Sequence, residues 1–434
     1  MRADFEQRME VLLGDELPQF LEAMTRPPVR GLRINPAKVG ADELARLLGV
    51  ELAPVPWCDT GFVLPLDAPP LGLHPAIDCG LFYLQDPASM LAPSVLAPEP
   101  GWRVADVAAA PGGKATDLAA RVGPSGLLLA NEVVRPRLRL LESALDRWGS
   151  RAAVTASLPL ERLGGLWDGV LLDAPCTGEA LFRRDPASAR EWSEASVLGN
   201  ARRQARLLDA VAPLVRAGGV LVYSTCSFEL VENEAQVASF LDRHEGWELD
   251  AETRVWPHRD VGDGQYVARL VRSGDGSAAR EWPRGGLKRA PRAALAGWRA
   301  FREAVVPGFE ADDEAIVLAG DRLYLAPDPG LAGLSRPGLP LGRLRPGRFE
   351  PAHGLATAVE PGQAGEVADW SHGYLHGEAV PSEGPDGWVL VRYERWGLGW
   401  ARRSRGVLKN FFPKGSRRPP PAGGAPHAPP RAAS

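Results

Sequence analysis

The sequence predicts an α/β protein whose central domain is a parallel sheet covered by helices. From Trp102 onward, apolar runs alternate with segments that have helical hydrophobic spacing. The runs are apolar on both faces, which is typical of parallel strands between two layers of helices. They are RVADVAA, LLLANEV, RAAVTAS, DGVLLDA and GGVLVYST, with RPRLRLLESALDRW and NARRQARLLDAVAPLV as intervening helices. WELD and GQYVARLV are predicted as closing edge strands, so this domain covers 99–272.

Two further units flank this domain. Residues 1–98 are predicted as a small α+β domain, with a helix over 4–24, a Pro-Pro break, the short strand VRGLRINP and the helix ADELARLLG. The stretch 273–300 is rich in Gly, Arg, Ser and Pro and is predicted to be a linker. Short strands such as RLYLAP and GWVLVRY predict a β-rich unit over 301–416, followed by a disordered tail over 417–434.

Composition excludes a wholly disordered chain, a collagen and a coiled coil. The chain has 434 residues, and its 45% hydrophobic and 24% charged residues are ordinary globular values. The net charge of −4 argues against a nucleic-acid partner only if charge is spread evenly. Residues 401–434 hold eight basic side chains and no acidic one, which leaves −12 for residues 1–400. Lysine occurs at only five positions, so 45 of the 50 basic residues are arginine, the better fork for phosphate groups.

Cysteine usage and hydropathy predict a cytoplasmic protein. Cys58, Cys79, Cys176 and Cys226 are too few and too scattered for a disulfide framework, and no pair has the C-x-x-C spacing of a zinc site. The N-terminal MRADFEQRMEVLLGDEL lacks the apolar core of a signal peptide, and no run of eighteen apolar residues predicts a membrane span. We therefore expect neither a metal ion nor a membrane partner.

The first predicted strand of the central sheet runs into the loop DVAAAPGGK, Asp106 to Lys114. Ligands of open α/β sheets bind at the carboxyl ends of strands, and Gly112 and Gly113 let the backbone approach a ligand. Glu132 ends the second strand, where a carboxylate can accept both hydroxyl groups of a ribose. Since the loop lacks G-x-G-x-x-G, we expect a nucleoside without pyrophosphate, and S-adenosylmethionine fits that description. The alternative is an ordinary strand–helix turn with a solvated Glu132.

Two of the cysteines follow strands at the same predicted edge. Asp173 ends the fourth strand with Cys176 just beyond it, and Cys226 ends the fifth. A thiolate that adds to carbon-6 of cytosine activates carbon-5 toward a methyl donor, which is covalent catalysis. Asp173 can stabilise the adduct at ring nitrogen 3 and the exocyclic amine, and a second thiol can assist product release. The base must then be single-stranded or flipped out. The alternative is two small buried hydrophobic residues.

Four segments together resemble the NOL/NOP/Sun family of RNA cytosine-5 methyltransferases. They are DVAAAPGGK, NEVV, LLDAPCTGEALFRRDP and YSTCSFELVENE. The resemblance implies a class I S-adenosylmethionine-dependent methyltransferase core, which is Rossmann-like. It also implies that Cys226 is the nucleophile, that Cys176 helps to release the product, and that Asp173 and Lys114 contact the target base. The cofactor contacts that it implies are Ala109, Ala110, Pro111, Gly112, Gly113, Lys114, Glu132 and Asp173.

The resemblance extends to both flanks. FYLQDPASML is similar to the family segment that leads into the methyltransferase domain, which implies that Gln85 and Asp86 lie near the cofactor, and LRINPAK is similar to its N-terminal RNA-facing unit. The C-terminal segments resemble the extension, with a PUA-like barrel, of bacterial F-type members that act on 16S ribosomal RNA. They are HGYLHGE, DGWVLVRYERWGLGWARR and GVLKNFFPKGSRR. In one departure, many members carry an acid after the third strand for the adenine amine, where this sequence offers Ser157.

Aromatic and basic residues are interleaved in the C-terminal region, a pattern that suits base stacking and phosphate binding. We expect the tryptophans in a barrel core, with stacking as the alternative. We expect the arginines on RNA because the segment has no acids to pair with them, with a solvated basic tail as the alternative. The two sets are Trp388, Tyr393, Trp396 and Trp400, and Arg402, Arg403, Arg405, Lys409, Lys414, Arg417 and Arg418. Arg183 and Arg184 are either RNA contacts or ordinary surface residues. His372 and His376 are expected at the surface, without a metal.

These observations predict an enzyme that methylates carbon-5 of cytidine in 16S ribosomal RNA. The expected partners are S-adenosylmethionine and either ribosomal RNA or the 30S subunit, and the expected state is a monomer. A transfer RNA substrate and a catalytically silent RNA-binding ribosome-assembly factor are the alternatives. DNA methylation fits the Thr-Cys pattern and the flanking units less well.

Overall fold

A computed structural model describes residues 3–274, 288–328 and 332–419. Its N-terminal part consists of helices around a four-stranded antiparallel sheet in the order β2-β3-β1-β4. The elements are α1 (Ala3–Leu13), α2 (Leu17–Thr25), β1 (Gly31–Ile34), α3 (Ala41–Leu48), β2 (Ala53–Val55), β3 (Cys58–Val63), α4 (Pro75–Asp78), β4 (Phe82–Leu84) and α5 (Leu91–Leu96). The single helix predicted over 4–24 is wrong, because Gly14 adopts a φ of +52° and Pro18 starts a second helix.

The central domain contains the predicted parallel sheet. Its elements are β5 (Arg103–Asp106), α6 (Gly113–Val122), β6 (Leu127–Asn131), α7 (Arg135–Trp148), β7 (Ala153–Ala156), β8 (Trp167–Asp173), α8 (Pro186–Glu191), α9 (Glu194–Val211), β9 (Val215–Thr225), α10 (Glu234–Arg243), β10 (Trp247–Val255) and β11 (Gln265–Arg272). The five strands β9-β8-β5-β6-β7 are parallel, and β11 and β10 extend the β9 edge in antiparallel orientation. The parallel core and both predicted edge strands are therefore confirmed.

The C-terminal part forms two small sheets. Its elements are α11 (Arg292–Val305), β12 (Ile316–Ala319), β13 (Arg322–Leu325), β14 (Leu334–Arg336), β15 (Leu339–Arg345), β16 (Arg348–Pro351), α12 (His353–Ala358), β17 (Val367–Asp369), α13 (His372–His376), β18 (Val380–Pro381), β19 (Gly387–Tyr393), β20 (Trp396–Ser404) and β21 (Val407–Asn410). The sheet orders are β12-β13-β15-β16 and β17-β19-β20-β21-β18.

The helix α11 begins inside the stretch 273–300 that was predicted to be a linker. Trp298 and Phe301 on this helix are buried among the apolar residues of the C-terminal part. The linker prediction is therefore wrong from Arg292 onward, since this segment buries a hydrophobic face. Residues 275–287 of the predicted linker lie outside the described residues.

A strand of the C-terminal part extends the central sheet. β14 pairs with β7 in antiparallel orientation and becomes the eighth strand. Arg336 on β14 is buried, pairs with Asp146 of α7 at 3.0 Å and donates to the carbonyl of Ala153 at 3.1 Å. The C-terminal part is thus bonded directly to the central sheet, a contact that the sequence did not predict.

The N-terminal sheet and the last sheet share one hydrophobic core. Leu32 and Leu44 belong to the same buried cluster as Leu398 and Phe412. Trp396 and Trp400 are buried and Trp388 is half-buried, so the core role expected of the tryptophans is confirmed for the first two. Tyr393 is also buried. The indole of Trp396 donates to the carbonyl of Lys38 at 3.0 Å, which ties the two ends of the chain together.

Several predictions for the C-terminal end need correction. Arg403 is buried and pairs with Glu366 at 3.0 Å, so an acid from outside the basic segment neutralises it. The guanidinium of Arg418 pairs with Asp78, although the tail from 417 onward was predicted to be disordered. Arg402, Arg405, Lys409 and Lys414 are exposed, as expected for RNA contacts. Residues 420–434 of the predicted tail lie outside the described residues.

His372 and His376 lie at the two ends of the short helix α13, with His372 exposed and His376 half-buried. In the described ranges, no group of three or more His, Cys, Asp or Glu side chains is arranged to hold a metal ion. A search of the same residues finds no helix of the length and apolarity that crossing a bilayer requires.

Candidate active site

The sheet topology brings the predicted chemical residues to one edge. β5, β8 and β9 are adjacent parallel strands, so their carboxyl ends lie together. β5 leads into the loop before Lys114, β8 ends at Asp173 three residues before Cys176, and β9 ends one residue before Cys226. Residues that are far apart in sequence thus meet above the centre of the sheet.

The two thiols at this edge are in contact. Cys176 Sγ lies 3.3 Å from Cys226 Sγ, and both side chains are half-buried and free of disulfides. The hydrogen bond to Cys226, followed by burial and the nearby charge of Glu232, raises the pKa of Cys176. Either sulfur can be the donor in this contact. This contact distinguishes the pair from Cys58 and Cys79, which are fully buried elsewhere.

A buried carboxylate holds the loop that carries Cys176. Glu232 accepts hydrogen bonds from the hydroxyl and the backbone N–H of Thr177, the latter at 3.1 Å. The amide of Gln204 donates to Glu232 at 2.7 Å and to the carbonyl of Pro175 at 2.9 Å. Burial raises the pKa of Glu232 to about 7. The sequence analysis missed this role, since Glu232 is 55 residues from Thr177 and only the fold joins them.

Lys114 and Asp173 form an ion pair beside the thiols. Lys114 Nζ lies 2.8 Å from Asp173 Oδ2. On the other oxygen, Asp173 accepts from Ser224 Oγ at 2.8 Å and from Gln265 Nε2 at 3.4 Å. Burial opposes the charge of Lys114, but the carboxylate of Asp173 outweighs it and raises the pKa of Lys114. Ser224 and Gln265 were not predicted; they position a carboxylate that is still about a third exposed.

A cavity of about 220 Å³ opens next to this ion pair and contains most of the predicted cofactor loop. Its walls are Tyr83, Leu84, Gln85, Ser89, Asp106, Ala108, Ala109, Ala110, Pro111, Gly113, Lys114 and Asp173. Gly112 is not in the wall: its φ is +119°, and a Cβ there would come within 2.8 Å of the Ala144 side chain on α7. Gly112 therefore serves the packing of the loop against α7 as well as its turn.

Asp106 is the unusual group in this cavity. It is 1% exposed, and its Oδ2 has no hydrogen-bond partner among the described residues. Burial, together with repulsion from Asp173, raises the pKa of Asp106 to about 7. A buried oxygen without a partner at the wall of a cavity is a strong acceptor for a bound polar or cationic group.

Glu132 lies directly after β6 and is almost fully buried. Its Oε1 accepts from the backbone N–H of Val134 at 2.8 Å, and its Oε2 pairs with Arg137 at 3.2 Å. Arg137 also donates to the carbonyl of Ala110 at 2.8 Å, so this guanidinium joins Glu132 to the loop between β5 and α6. At the next strand end, Ser157 is half-buried.

An arginine from the N-terminal part reaches beneath the cofactor loop. Arg33 of β1 is fully buried and donates to Thr116 Oγ1 at 2.5 Å and to the carbonyl of Gly113 at 2.9 Å. Its guanidinium stacks on Trp148, 4.7 Å from the ring centre, and lies 3.8 Å from Asp117. LRINPAK was noted only as an RNA-facing segment, and nothing in the sequence indicates that Arg33 supports the start of α6.

Of the remaining predicted side chains, Gln85 and Asp86 lie at the cavity or beside it, whereas Arg183 and Arg184 are held in ion pairs. Gln85 lines the cavity, and Asp86, buried beside it, has its pKa raised to about 6 by burial and by Asp263. Arg183 is almost fully buried and pairs with Asp263, so it is a structural residue and an RNA contact there is excluded. Arg184 pairs with Asp263 and Asp86 but keeps about a third of its side chain exposed.

Four family models match successive parts of the chain. The model described as 16S rRNA methyltransferase RsmB/F matches residues 93–271, and the N-terminal domain of 16S rRNA methyltransferase RsmF matches 1–87. The RsmF rRNA methyltransferase first C-terminal domain matches 300–359, and the methyltransferase RsmF PUA domain matches 371–418.

Individual proteins match over most of the chain. It is 30% identical to the ribosomal RNA small subunit methyltransferase F of Erwinia tasmaniensis, over 94% of this chain and 95% of that protein. Its identity to the protein of the same name from Citrobacter koseri is 32%, over 91% of each. Among solved structures, a methyltransferase homolog protein from Pyrococcus horikoshii matches with a TM-score of 0.57 and 30% identity, over 63% of this chain and 95% of that one.

Proposed function

The chain belongs to the 16S rRNA methyltransferase RsmB/F family, and we propose that it methylates carbon-5 of cytidine in 16S ribosomal RNA through a covalent adduct on Cys226. The enzyme is an RNA methyltransferase, and S-adenosylmethionine is its methyl donor. The observation that carries the proposed chemistry is the 3.3 Å contact between Cys176 and Cys226 beside the Lys114–Asp173 ion pair.

The cavity next to the Lys114–Asp173 ion pair, here called the catalytic cavity, is lined by residues that fit S-adenosylmethionine. Oδ2 of Asp106, which has no hydrogen-bond partner among the described residues, is an acceptor that a ligand can use. Ala109, Ala110, Pro111 and Gly113 supply a wall of small residues. Glu132 is placed at the strand end where a carboxylate accepts ribose hydroxyls, once Arg137 gives up part of its contact. When bound, S-adenosylmethionine supplies an electrophilic methyl group on a sulfonium centre.

Cys226 is the group that attacks the base. Its thiolate adds to carbon-6 of the cytosine, which makes carbon-5 nucleophilic toward the methyl group. After methyl transfer, a proton acceptor removes the proton from carbon-5 and the carbon-5–carbon-6 double bond re-forms. The bond between carbon-6 and sulfur then breaks, and its electron pair returns to Cys226. The protonated Cys176 thiol, 3.3 Å away, donates a hydrogen bond to the sulfur as this negative charge returns.

Asp173 and Lys114 position the target base. Asp173 accepts hydrogen bonds from three side chains in the structure and is placed to accept one more from the exocyclic amine of cytosine. The cationic Lys114 offsets the negative charge that develops on the ring during thiolate addition. The pair is itself fixed by Ser224 and Gln265, so it needs little reorganisation when the base enters.

Single cysteine variants test this mechanism on 16S RNA from a strain that lacks the enzyme. Cys226→Ala is expected to abolish the transfer of a labelled methyl group. Cys176→Ala is expected to accumulate an RNA–protein adduct that survives denaturing electrophoresis, because the leaving sulfur has lost its hydrogen-bond donor. Cys58→Ala, a buried cysteine of the N-terminal part, is the matched control and should transfer methyl groups normally. Normal turnover without an adduct in both site variants would contradict the mechanism.

The substrate alternatives are separated by mapping. Bisulfite sequencing of ribosomal and transfer RNA from a deletion strain is expected to show loss of methylation at one or more 16S cytidines. Loss in a transfer RNA instead would identify that substrate, and unchanged RNA with a ribosome-assembly defect would identify a silent assembly factor. Comparing naked 16S RNA with 30S subunits as acceptors decides between the two forms of the substrate. We propose a monomeric cytoplasmic enzyme, with boundaries between its domains near residues 98 and 272.

A further inference from the structure

A second cavity, here called the flank cavity, lies beside the catalytic cavity. It has a volume of about 290 Å³ and shares the side chains of Leu84 and Gln85 with the catalytic cavity. Its size is near the lower end of ligand-binding clefts. The other wall residues come from the N-terminal part and from the loop after Cys176: Arg30, Gly31, Leu64, Pro69, Pro70, Leu71, Gly72, Asp86 and Arg184. Leu84 and Gln85 line both cavities, so the two cavities are adjacent and neighbouring parts of one ligand can contact both.

One side of the flank cavity is apolar and accessible. Leu84 is 38% exposed, and Pro69 and Pro70 are exposed next to it. Such a surface suits the flat face of a nucleobase, which has little need of specific hydrogen bonds to stack or pack there.

The other side presents two anchored guanidinium groups. Arg30 Nη2 donates to the carbonyl of Ala68 at 2.6 Å, which fixes the side chain while its Nε and Nη1 keep no partner among the described residues. Arg184 is held by Asp86 and Asp263, and its Nη1 is likewise without a partner within the described part of the chain. Fixed guanidinium donors with unused N–H groups suit a phosphate, because these side chains lose little further conformational entropy when the phosphate binds.

The charges at this side are not balanced within the protein. Arg184 shares two carboxylates, Asp86 and Asp263, whereas Arg30 has no ion pair with any described carboxylate. Arg30 is therefore a net positive charge at the mouth of the cavity. This charge is complementary to a phosphodiester backbone and unsuited to a basic or purely apolar partner.

We propose that the flank cavity binds the nucleotide adjacent to the target cytidine, with its base against Leu84 and Pro70 and its phosphate on Arg30 and Arg184. This inference rests on the proposed function. The target base has to leave its stack to enter the catalytic cavity, and the covalent backbone then keeps the neighbouring nucleotide within one step of it. Leu84 and Gln85 line both cavities, so the sites for the target base and for the neighbouring nucleotide are adjacent. The flank cavity thus contributes to the choice of sequence or shape around the methylated site.

Arg30→Ala tests the phosphate contact with the full-length enzyme and 16S RNA. The expected result is a KM raised on the order of tenfold with kcat unchanged, since one charge-assisted hydrogen bond to a phosphate is lost. The slope of log(kcat/KM) against log salt concentration should fall by about 1. Arg30→Lys, which keeps the charge, should recover most of the affinity. Arg299→Ala removes an exposed arginine of α11 and should leave KM and the slope unchanged.

Pro70→Glu provides a second variant that does not depend on Arg30. Pro70 is exposed, so the fold should tolerate the change, and the new carboxylate should repel the phosphate and weaken the binding of 16S RNA in a filter assay without S-adenosylmethionine. If Arg30→Ala and Pro70→Glu both bind RNA and turn over like the wild type, the flank-cavity proposal is wrong. If the wild type itself transfers no methyl group to 16S RNA, the proposed function fails instead.

A neutral RNA linkage completes the test once the methylated cytidine is mapped. A synthetic RNA with a methylphosphonate next to that cytidine, on each side in turn, removes one phosphate charge. With the modified linkage on one of the two sides, the wild type should lose affinity by the same factor that Arg30→Ala loses with unmodified RNA. The affinity of Arg30→Ala itself should not fall further with this modified RNA, because its phosphate contact is already absent. Full additivity of the two changes on both sides would place the phosphate elsewhere and overturn the assignment.

Discussion

The buried carboxyl group of Asp106 should make the stability of the protein depend on pH in a way that Asp106→Asn removes. Its pKa rises from 3.8 to about 7 on folding, because burial and Asp173 disfavour the charged form. The folded state therefore binds the proton more tightly than the unfolded state, and the wild type loses stability as the pH rises through this window. A shift of about 3 units corresponds to about 4 kcal/mol, of which about 3 kcal/mol is lost between pH 5 and pH 8.

The assay is urea unfolding of the ligand-free protein at several pH values between 5 and 8, followed by tryptophan fluorescence. Asparagine introduces an amide nitrogen where Oδ2 has no partner, which shifts the variant's stability by a constant 1–3 kcal/mol or so. The informative quantity is therefore the difference between variant and wild type, which should increase by about 3 kcal/mol from pH 5 to pH 8. Asp67→Asn, at an exposed loop residue, is the control and should give a flat difference. An equally flat difference for Asp106→Asn would refute the reasoning.

Three further outcomes are expected. Glu132→Gln should weaken S-adenosylmethionine binding at least tenfold in calorimetry, since charged acceptors of the ribose hydroxyls are lost; an unchanged Kd would contradict that role. Arg33→Ala should lower the free energy of unfolding by about 3 kcal/mol in urea titrations, because it removes two buried charge-assisted hydrogen bonds, to Thr116 Oγ1 and to the carbonyl of Gly113; an unchanged midpoint would contradict this supporting role. Wild-type kcat should fall as the pH drops below 7, because Glu232 gains a proton and then holds Thr177 less well. Glu232→Gln should have a lower kcat that does not change with pH over this range. Parallel pH profiles of kcat for the two proteins would exclude this positioning role.

The catalytic edge was accessible to sequence reasoning because parallel strands all end on one side. Asp173, Cys176 and Cys226 each follow an apolar run, so the sheet alone requires them to be neighbours. The order of the strands then sets which neighbours touch. β8 lies between β5 and β9, and this places Lys114 against Asp173 and Cys176 against Cys226.

The supporting residues were not accessible in this way. Arg33 and Glu232 lie in the family-like segments LRINPAK and YSTCSFELVENE, but the resemblance implies no role for either, and Gln265 is one residue of a predicted edge strand. Each acts on a partner that is between about 55 and 92 residues away, Gly113, Thr177 and Asp173 in turn. The Arg33 contact depends on how the N-terminal part packs on the central domain, and the other two depend on how loops and strands of the central domain come together. Periodicity and propensity report only on neighbours along the chain.

The basic C-terminal segment shows the same limit for charge. Its lack of acids suggested free arginines, yet Arg403 pairs with Glu366 and Arg418 with Asp78. Charge counts along a sequence do not include the carboxylates that folding brings in from elsewhere. The arginines and lysines that stay exposed, and the flank-cavity Arg30, are the cations that remain for RNA.

The sequence by itself determined the parallel α/β core, the cofactor loop and the pair of cysteines at the strand ends. Strand periodicity and the direction of parallel strands are local properties, so they can be read before any packing is known. Only the tertiary structure decided that the N-terminal and C-terminal sheets share one core, that β14 joins the central sheet, and that Asp106 is buried without a partner. Burial and pairing depend on which distant surfaces come together, and that depends on the packing of the whole chain.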